Sequence, residues 1–351
     1  MLKIADRIRH NSSVPARFME VCGGHTMTLH KYGLPALLPP AITLISGPGC
    51  PVCVSGQGFI GALLDLCSDP SLILTTYGDL LRIPSGNRSL ESERAKGADI
   101  RIVYSVMESL ALAGSNPERK VVFAGIGFET TAPLTAAAIL RAKKDGLRNF
   151  FVYSSHKIMP PALERIASGT GNITGFIAPG HVTAITGLGI YEDLVKKHRV
   201  GVVVAGFEPV DLMLAIAMLT DQAEKGKFLV ENAYTRVVRP GGNRIAQAAM
   251  AEVFETAGDH WRGLGMIPGS GLKIRQRYGA FDAGAVFGIK EHPYAEPAGC
   301  ICGKVITGES SPGDCRLFGR SCTPETPVGA CMVSNEGTCS IWFQYHRTQS
   351  S

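Results

Sequence analysis

Residues 68–299 contain no cysteine, although the chain of 351 residues has ten. Cysteines serving only as small core residues would scatter. Here Cys22, Cys50, Cys53 and Cys67 sit near the start, and Cys300, Cys302, Cys315, Cys322, Cys331 and Cys339 near the end. Thiol-rich ends around a thiol-free middle point to metal or redox chemistry supplied from both termini. Charge is also sparse: 19% of residues are charged and the net charge is +5. With no basic stripe and no nucleic-acid motif, a nucleic-acid partner is not expected. The opening MLKIADRIRHNSSVP lacks the apolar core and cleavage site of a secretory signal. The longest apolar stretch, residues 200–219, is broken by Glu208, Pro209 and Asp211, which excludes a membrane span. A cytoplasmic location follows as the expectation, and structural disulfides are rare there. The thiols therefore need another job.

What is present reads as a globular α/β protein. A hydrophobic share of 45% lies well clear of disorder, and the length suggests two or three domains. Short apolar, mostly β-branched runs occur at 41–46 (AITLIS), 72–76 (LILTT), 100–104 (IRIVY) and 121–125 (VVFAG). Helix-like segments such as 61–66 and 134–144 separate them. Such runs fit strands buried on both faces of a parallel sheet. A second series follows at 150–154 (FFVYS), 174–178 (TGFIA) and 200–205 (VGVVVA), with helical stretches such as 212–224. This predicts two consecutive parallel-sheet units, over 41–145 and 146–243. Both series end in a strand running into Gly-Phe-Glu and then a helix, a faint internal echo. From about Arg244 one helix gives way to Gly- and Cys-rich coil, which predicts a third, smaller unit.

Three thiol motifs carry chemistry. The first is Cys300, Cys315, Cys322 and Cys339, spaced Cys-x14-Cys-x6-Cys-x16-Cys among many glycines and prolines. Four thiolates suit a 4Fe–4S cluster or a structural zinc. The absence of a Cys-x2-Cys pair in this tail favours iron–sulfur, although spacing alone does not say which four of the six bind. For Cys302 and Cys331 the plainer reading is a small buried apolar residue. The second motif is Gly47-Pro48-Gly49-Cys50-Pro51-Val52-Cys53, just beyond a strand and at a helix start. Exposed amides there lower a thiol pKa, so Cys50 and Cys53 read as a redox dithiol or a metal-ligand pair, with two buried cysteines by chance as the plainer alternative. The third is Cys22-Gly23-Gly24-His25, where thiol and imidazole can converge on one metal or pair as thiolate and imidazolium. Followed by two glycines, Cys22 is expected on an accessible loop. Glu129 and Glu208 follow the two Gly-Phe-Glu turns, and His181 follows a strand end in Pro179-Gly180-His181-Val182. All three are candidate site residues, with a helix cap or a satisfied hydrogen-bond network as the plainer alternative.

Taken together, CGGHT, GPGCPVC, GFETTAP, PGHV, GFEP and the four-cysteine tail occur in this order in one chain. So do YGDLLRIP, GADIRIVYS, WRGLGMIPGSGL and LFGRSCTPETPVGACMVSNEGTC. The chain strongly resembles the HypD family, maturation factors of nickel–iron hydrogenases, over essentially its whole length. The resemblance implies two similar α/β domains and a third carrying a 4Fe–4S cluster on Cys300, Cys315, Cys322 and Cys339. It implies that residues 1–40 join 244–351 in that third unit and feed the CGGHT segment into a central cleft. There Cys22, with His25 beside it, would meet Cys50 and Cys53 and hold an iron receiving two cyanides and one carbon monoxide. The implied partners are a small chaperone, HypC, and a cyanide donor, HypE. Met27 stands where many members have a second His, and Val54-Ser55-Gly56 where many have Val-Thr-Pro; neither removes a ligand.

The expected function is a scaffold with redox activity rather than a turnover enzyme. Soft thiolates suit low-spin iron with strong-field ligands, and a cluster near a Cys-x-x-Cys can supply its electrons. Two alternatives stay open on the residues. An iron–sulfur-driven thiol–disulfide oxidoreductase would leave Cys22 and His25 without a task. A zinc-stapled binding module would have no redox chemistry.

Overall fold

The computed structural model describes residues 1–169, 171–290, 292 and 296–346. Nine short strands build two parallel sheets. One contains β1 (Ala16–Glu20), β2 (Ile42–Ser46), β7 (Gly175–Pro179), β8 (Gly201–Ala205) and β9 (Val230–Asn232), in the order β2-β1-β7-β8-β9. The other contains β3 (Leu72–Thr76), β4 (Ile100–Ile102), β5 (Lys120–Gly127) and β6 (Phe150–His156), in the order β4-β3-β5-β6. Every pairing in both sheets is parallel. The α/β class read from the apolar runs is what the chain adopts. Strands β3, β7 and β8 are buried at every position, as continuous apolar runs require.

Two strands sit in the opposite sheet from their place in the sequence series. Residues 42–46 pair with β1, Ala16 opposite Ile42 and Glu20 opposite Ser46, rather than heading the first series. Residues 150–156 pair with β5, Val121 opposite Phe150, rather than opening the second. The four-stranded sheet is thus inserted between β2 and β7 of the other. Strand Ala16–Glu20, grouped by sequence with the third unit, lies next to the centre of the five-stranded sheet. The physical reason is that an apolar run reports burial on two faces but carries no information about its neighbour.

After helix Arg244–Val253 the chain forms an antiparallel hairpin, β10 (Phe254–Trp261) and β11 (Gly265–Ile274), where coil was expected. Its polar, half-exposed positions hid it, with a register shift between Ala257 and Asp259. The cysteine-rich tail then makes only short helices, Cys302–Ile306, Ala330–Val333 and Thr338–His346. One apolar core joins these parts: Phe176 and Val202 of one sheet, Leu74 and Val122 of the other, and Cys53, Trp261, Cys302 and Cys331 belong to it. Among the described residues no helix is long and apolar enough to cross a membrane.

Candidate functional site

In parallel sheets the carboxyl ends of the strands leave crevices open to ligands. Cys22 follows β1, Cys50 follows β2, Glu129 follows β5, His181 follows β7 and Glu208 follows β8. The topology therefore sends every sequence candidate from the middle of the chain to a strand's carboxyl end.

Cys22 caps helix Gly23–Lys31 and is 5% exposed, so the accessible loop expected from its glycines is instead a buried helix start. Gly49 explains the burial. A β-carbon on it would stand 2.2 Å from the Cys22 amide nitrogen, so the loop carrying Cys50 lies directly against Cys22. Beneath lies Glu20, a buried carboxylate that sequence reasoning passed over. It accepts the Cys22 amide at 3.1 Å and the Thr26 hydroxyl, and burial pushes its pKa up to about 8. Burial also pushes the Cys22 thiol up to about 12, with Glu20 adding to the effect. A thiol in this setting stays neutral until a cation takes its proton's place.

His25 is fully buried and neither ring nitrogen has a hydrogen-bond partner among the described residues. Burial, helped by His181, drives its pKa down to about 3, so the ring is neutral. Its face lies 5.0 Å from Phe207, whose ring is also 5.1 Å from the exposed His181. Phe207 is thus shared by the two histidines, and Thr28 fixes its loop by donating to the Phe207 carbonyl at 2.9 Å. Phe207 is the middle of Gly-Phe-Glu, a motif whose glutamate drew the attention. Glu208 itself is exposed and caps helix Pro209–Lys225. Glu129 is buried: one oxygen accepts the Met159 amide at 2.8 Å, the other has no partner among the described residues, and burial raises its pKa to about 7. It combines a helix-start contact with one free oxygen. Both Glu129 and Cys22 act electrostatically on the buried Tyr191, raising its pKa further than burial alone.

Cys50 and Cys53 are joined as a disulfide at the start of helix Pro51–Val54, and both are buried. On the far side the Cys53 sulfur lies 3.9 Å from the Ala330 carbonyl. Ala330 precedes Cys331, which opens onto the C-terminal thiol group. Cys300, Cys302, Cys315, Cys322, Cys331 and Cys339 together line one apolar cavity of about 20 Å³. Cys302 and Cys331, read from sequence as packing residues, are buried as expected yet face the same cavity and touch Cys339. Donation from these two holds the Cys339 thiol down to about 6. The Val328 amide points at the Cys322 sulfur at 3.4 Å. The sulfurs converge, but among the described residues no three ligating groups already stand at metal-binding spacing.

Comparison with known proteins identifies the family. The HypD family model, described as "Hydrogenase formation hypA family", matches residues 1–346. The chain is 44% identical to the hydrogenase maturation factor HypD of Azotobacter vinelandii, covering 95% of this chain and 90% of that protein. It is 44% identical to HypD of Escherichia coli (strain K12), over 99% and 93% respectively. A putative hydrogenase expression/formation protein of Methanocaldococcus jannaschii is also 44% identical, over 94% and 92%. Sharing 94–99% of its length at 44% identity with such proteins, the chain belongs to the HypD family.

Proposed function

We propose that the chain is a hydrogenase maturation scaffold on which an Fe(CN)2CO unit is assembled as cargo, with redox-active thiols and a 4Fe–4S cluster supplying electrons. The observation that carries this reading is the row of thiols. Cys22 backs onto Gly49 of the Cys50 loop, and Cys53 lies beside Ala330, the neighbour of Cys331 in the thiol cavity. The proposed cargo site, the dithiol and the proposed cluster site thus follow one another.

The donor set fits both groups. Six soft sulfurs around an apolar cavity, with an amide aimed at Cys322, suit an iron–sulfur cluster. Cys300, Cys315, Cys322 and Cys339 would hold it. Bound there, the cluster supplies one-electron chemistry. Cys22 would anchor the cargo iron, with Cys50 and Cys53 as further ligands when reduced. Its neutral, buried thiol loses its proton to solvent only when a metal cation takes the proton's place on the sulfur, which favours a bound iron over a free thiolate. Glu20 holds the Cys22 loop in place through its two hydrogen bonds. Neutral His25 and the partnerless oxygen of Glu129 would serve as polar contacts for the cargo's ligands. His181, at the exposed edge of Phe207, and the capping Glu208 mark the rim where HypC and HypE would dock.

Infrared spectroscopy of anaerobically purified protein with the small chaperone tests the reading: bands of bound cyanide and carbon monoxide are expected, and disappear in Cys22→Ser. The Cys50–Cys53 disulfide favours one second reading, an iron–sulfur-driven thiol–disulfide oxidoreductase. That reading requires brown protein with a cycling dithiol but no such bands.

A further inference from the structure

Arg262 is a fully buried guanidinium, with a side chain 1% exposed, in the turn that follows the hairpin strand β10. A cation so placed costs much free energy unless something nearby needs it. One carboxylate accompanies it: Glu296, 32% exposed, accepts from Nη1 at 3.1 Å. Its Nε has no partner among the described residues. Two further hydrogen bonds go to the end of the dithiol helix and its C-cap. The Arg262 amide donates to the Val54 carbonyl at 2.9 Å, and Nη2 donates to the Ser55 carbonyl at 3.3 Å. These carbonyls lie one and two residues beyond Cys53.

The same turn reaches the thiol cavity. Gly263, at φ +77°, lies so close to Gly303 that a β-carbon on it would stand 2.4 Å from the Gly303 carbonyl oxygen. Gly303 follows Cys302 in the short helix Cys302–Ile306. The hairpin end is thus a strut between the dithiol helix and the thiol cavity, with its charge buried between them.

We infer that Arg262 is a positioning residue that couples the Cys50–Cys53 pair to the thiol cavity, its buried charge favouring the reduced, more electron-rich state of the pair. The inference rests on the redox reading proposed above. In the step concerned, the Cys50–Cys53 bond accepts two electrons and one proton and opens to one thiol and one thiolate. In a glutathione buffer two glutathione thiols supply the electrons and that proton, release their second proton to the buffer, and leave as one glutathione disulfide. A neighbouring cation stabilises thiolate character, so removing it shifts the equilibrium toward the disulfide.

The test is redox titration of the full chain in glutathione buffers, with alkylation and mass mapping of Cys50 and Cys53. Arg262→Met is expected to move the dithiol–disulfide constant toward disulfide by about tenfold, which is about 30 mV. Arg262→Lys keeps the charge but not the fork, and is expected to restore most of that shift. Glu296→Gln leaves the cation less compensated and is expected to move the constant the other way, so the inference stays testable should Arg262→Met fail to fold. A merely structural role predicts lower melting temperatures with an unchanged constant in all three, and that result overturns the inference alone. A wild-type pair that never cycles overturns the redox reading and this inference with it.

Discussion

Gly49 stands against Cys22 so closely that a β-carbon at position 49 would lie 2.2 Å from the Cys22 nitrogen and 2.3 Å from its α-carbon. Both obstructing atoms are backbone and cannot swing aside. Gly49→Ala therefore has to push the GPGCPVC loop away from the CGGH loop, at about 1–3 kcal/mol for overpacking. The expected outcome is a lower denaturation midpoint together with loss of iron–cyanide infrared bands. Gly114→Ala serves as control: nothing lies within 4 Å of its β-carbon, and it sits in helix Val106–Ser115, where alanine is preferred. That variant should match or exceed the parent in stability and keep the bands.

Cys22→Ser separates chemistry from packing. Serine is nearly the same size but a harder ligand with a far higher pKa. Placing a hydroxyl at a site 5% exposed costs about 1–2 kcal/mol, well within what a folded domain tolerates. The variant is expected to stay folded and brown, and to lose both the diatomic bands and hydrogenase maturation. If Cys22→Ser still matures hydrogenase, the anchoring role assigned to Cys22 is wrong.

The thiol cavity should be a folding element as well as an electron store. Between residues 296 and 346 the regular structure is limited to short helices, and a segment with so little of it leans on its ligand for stability. Cys315→Ala or Cys322→Ala is expected to give colourless protein whose tail is cut early in limited proteolysis. Colourless protein with a protease-resistant tail would contradict this. Cys302→Ala and Cys331→Ala, tested alongside, identify which four of the six sulfurs hold the iron, because only ligand loss removes the colour.

His156 makes stability depend on pH. It is buried between the Thr135 hydroxyl at 3.1 Å and the Ser154 hydroxyl at 3.0 Å, and burial drops its pKa to about 3. The unfolded chain takes up the proton first, near pH 6.5, so stability falls as pH drops from there toward 3. At pH 5 the loss is about 2 kcal/mol from this residue. Urea unfolding at pH 7.5 and pH 5 should show it, and His156→Gln should shrink the difference between the two. An unchanged difference would mean that the ring is not held neutral.

Several parts of the site were legible along the chain because their signals are local. A thiol beside glycines, a Cys-x-x-Cys after an apolar run and a Gly-Phe-Glu turn each announce a strand end, and the fold places each at one. Glu20 and Arg262 gave no such signal: a lone Glu in Met19-Glu20-Val21, or an Arg before Gly263, looks like surface charge until its burial is seen. Cys302 and Cys331 were visible as thiols, but only convergence on the cavity distinguishes a sulfur facing it from one that merely fills space. Phe207 lay inside a noted motif, yet its contact with two histidines joins residues far apart in sequence.

By itself the sequence determined the α/β class, the family, the parallel character of the strands and the residues that can carry soft-metal chemistry. These depend on side-chain type and short-range periodicity, which each segment displays alone. Tertiary structure decided that residues 42–46 and 150–156 exchange sheets, that Cys22 is buried under Gly49, and that an arginine links dithiol and thiol cavity. Such features arise from pairing and packing between distant segments, whose free energy belongs to the contact and to neither segment alone.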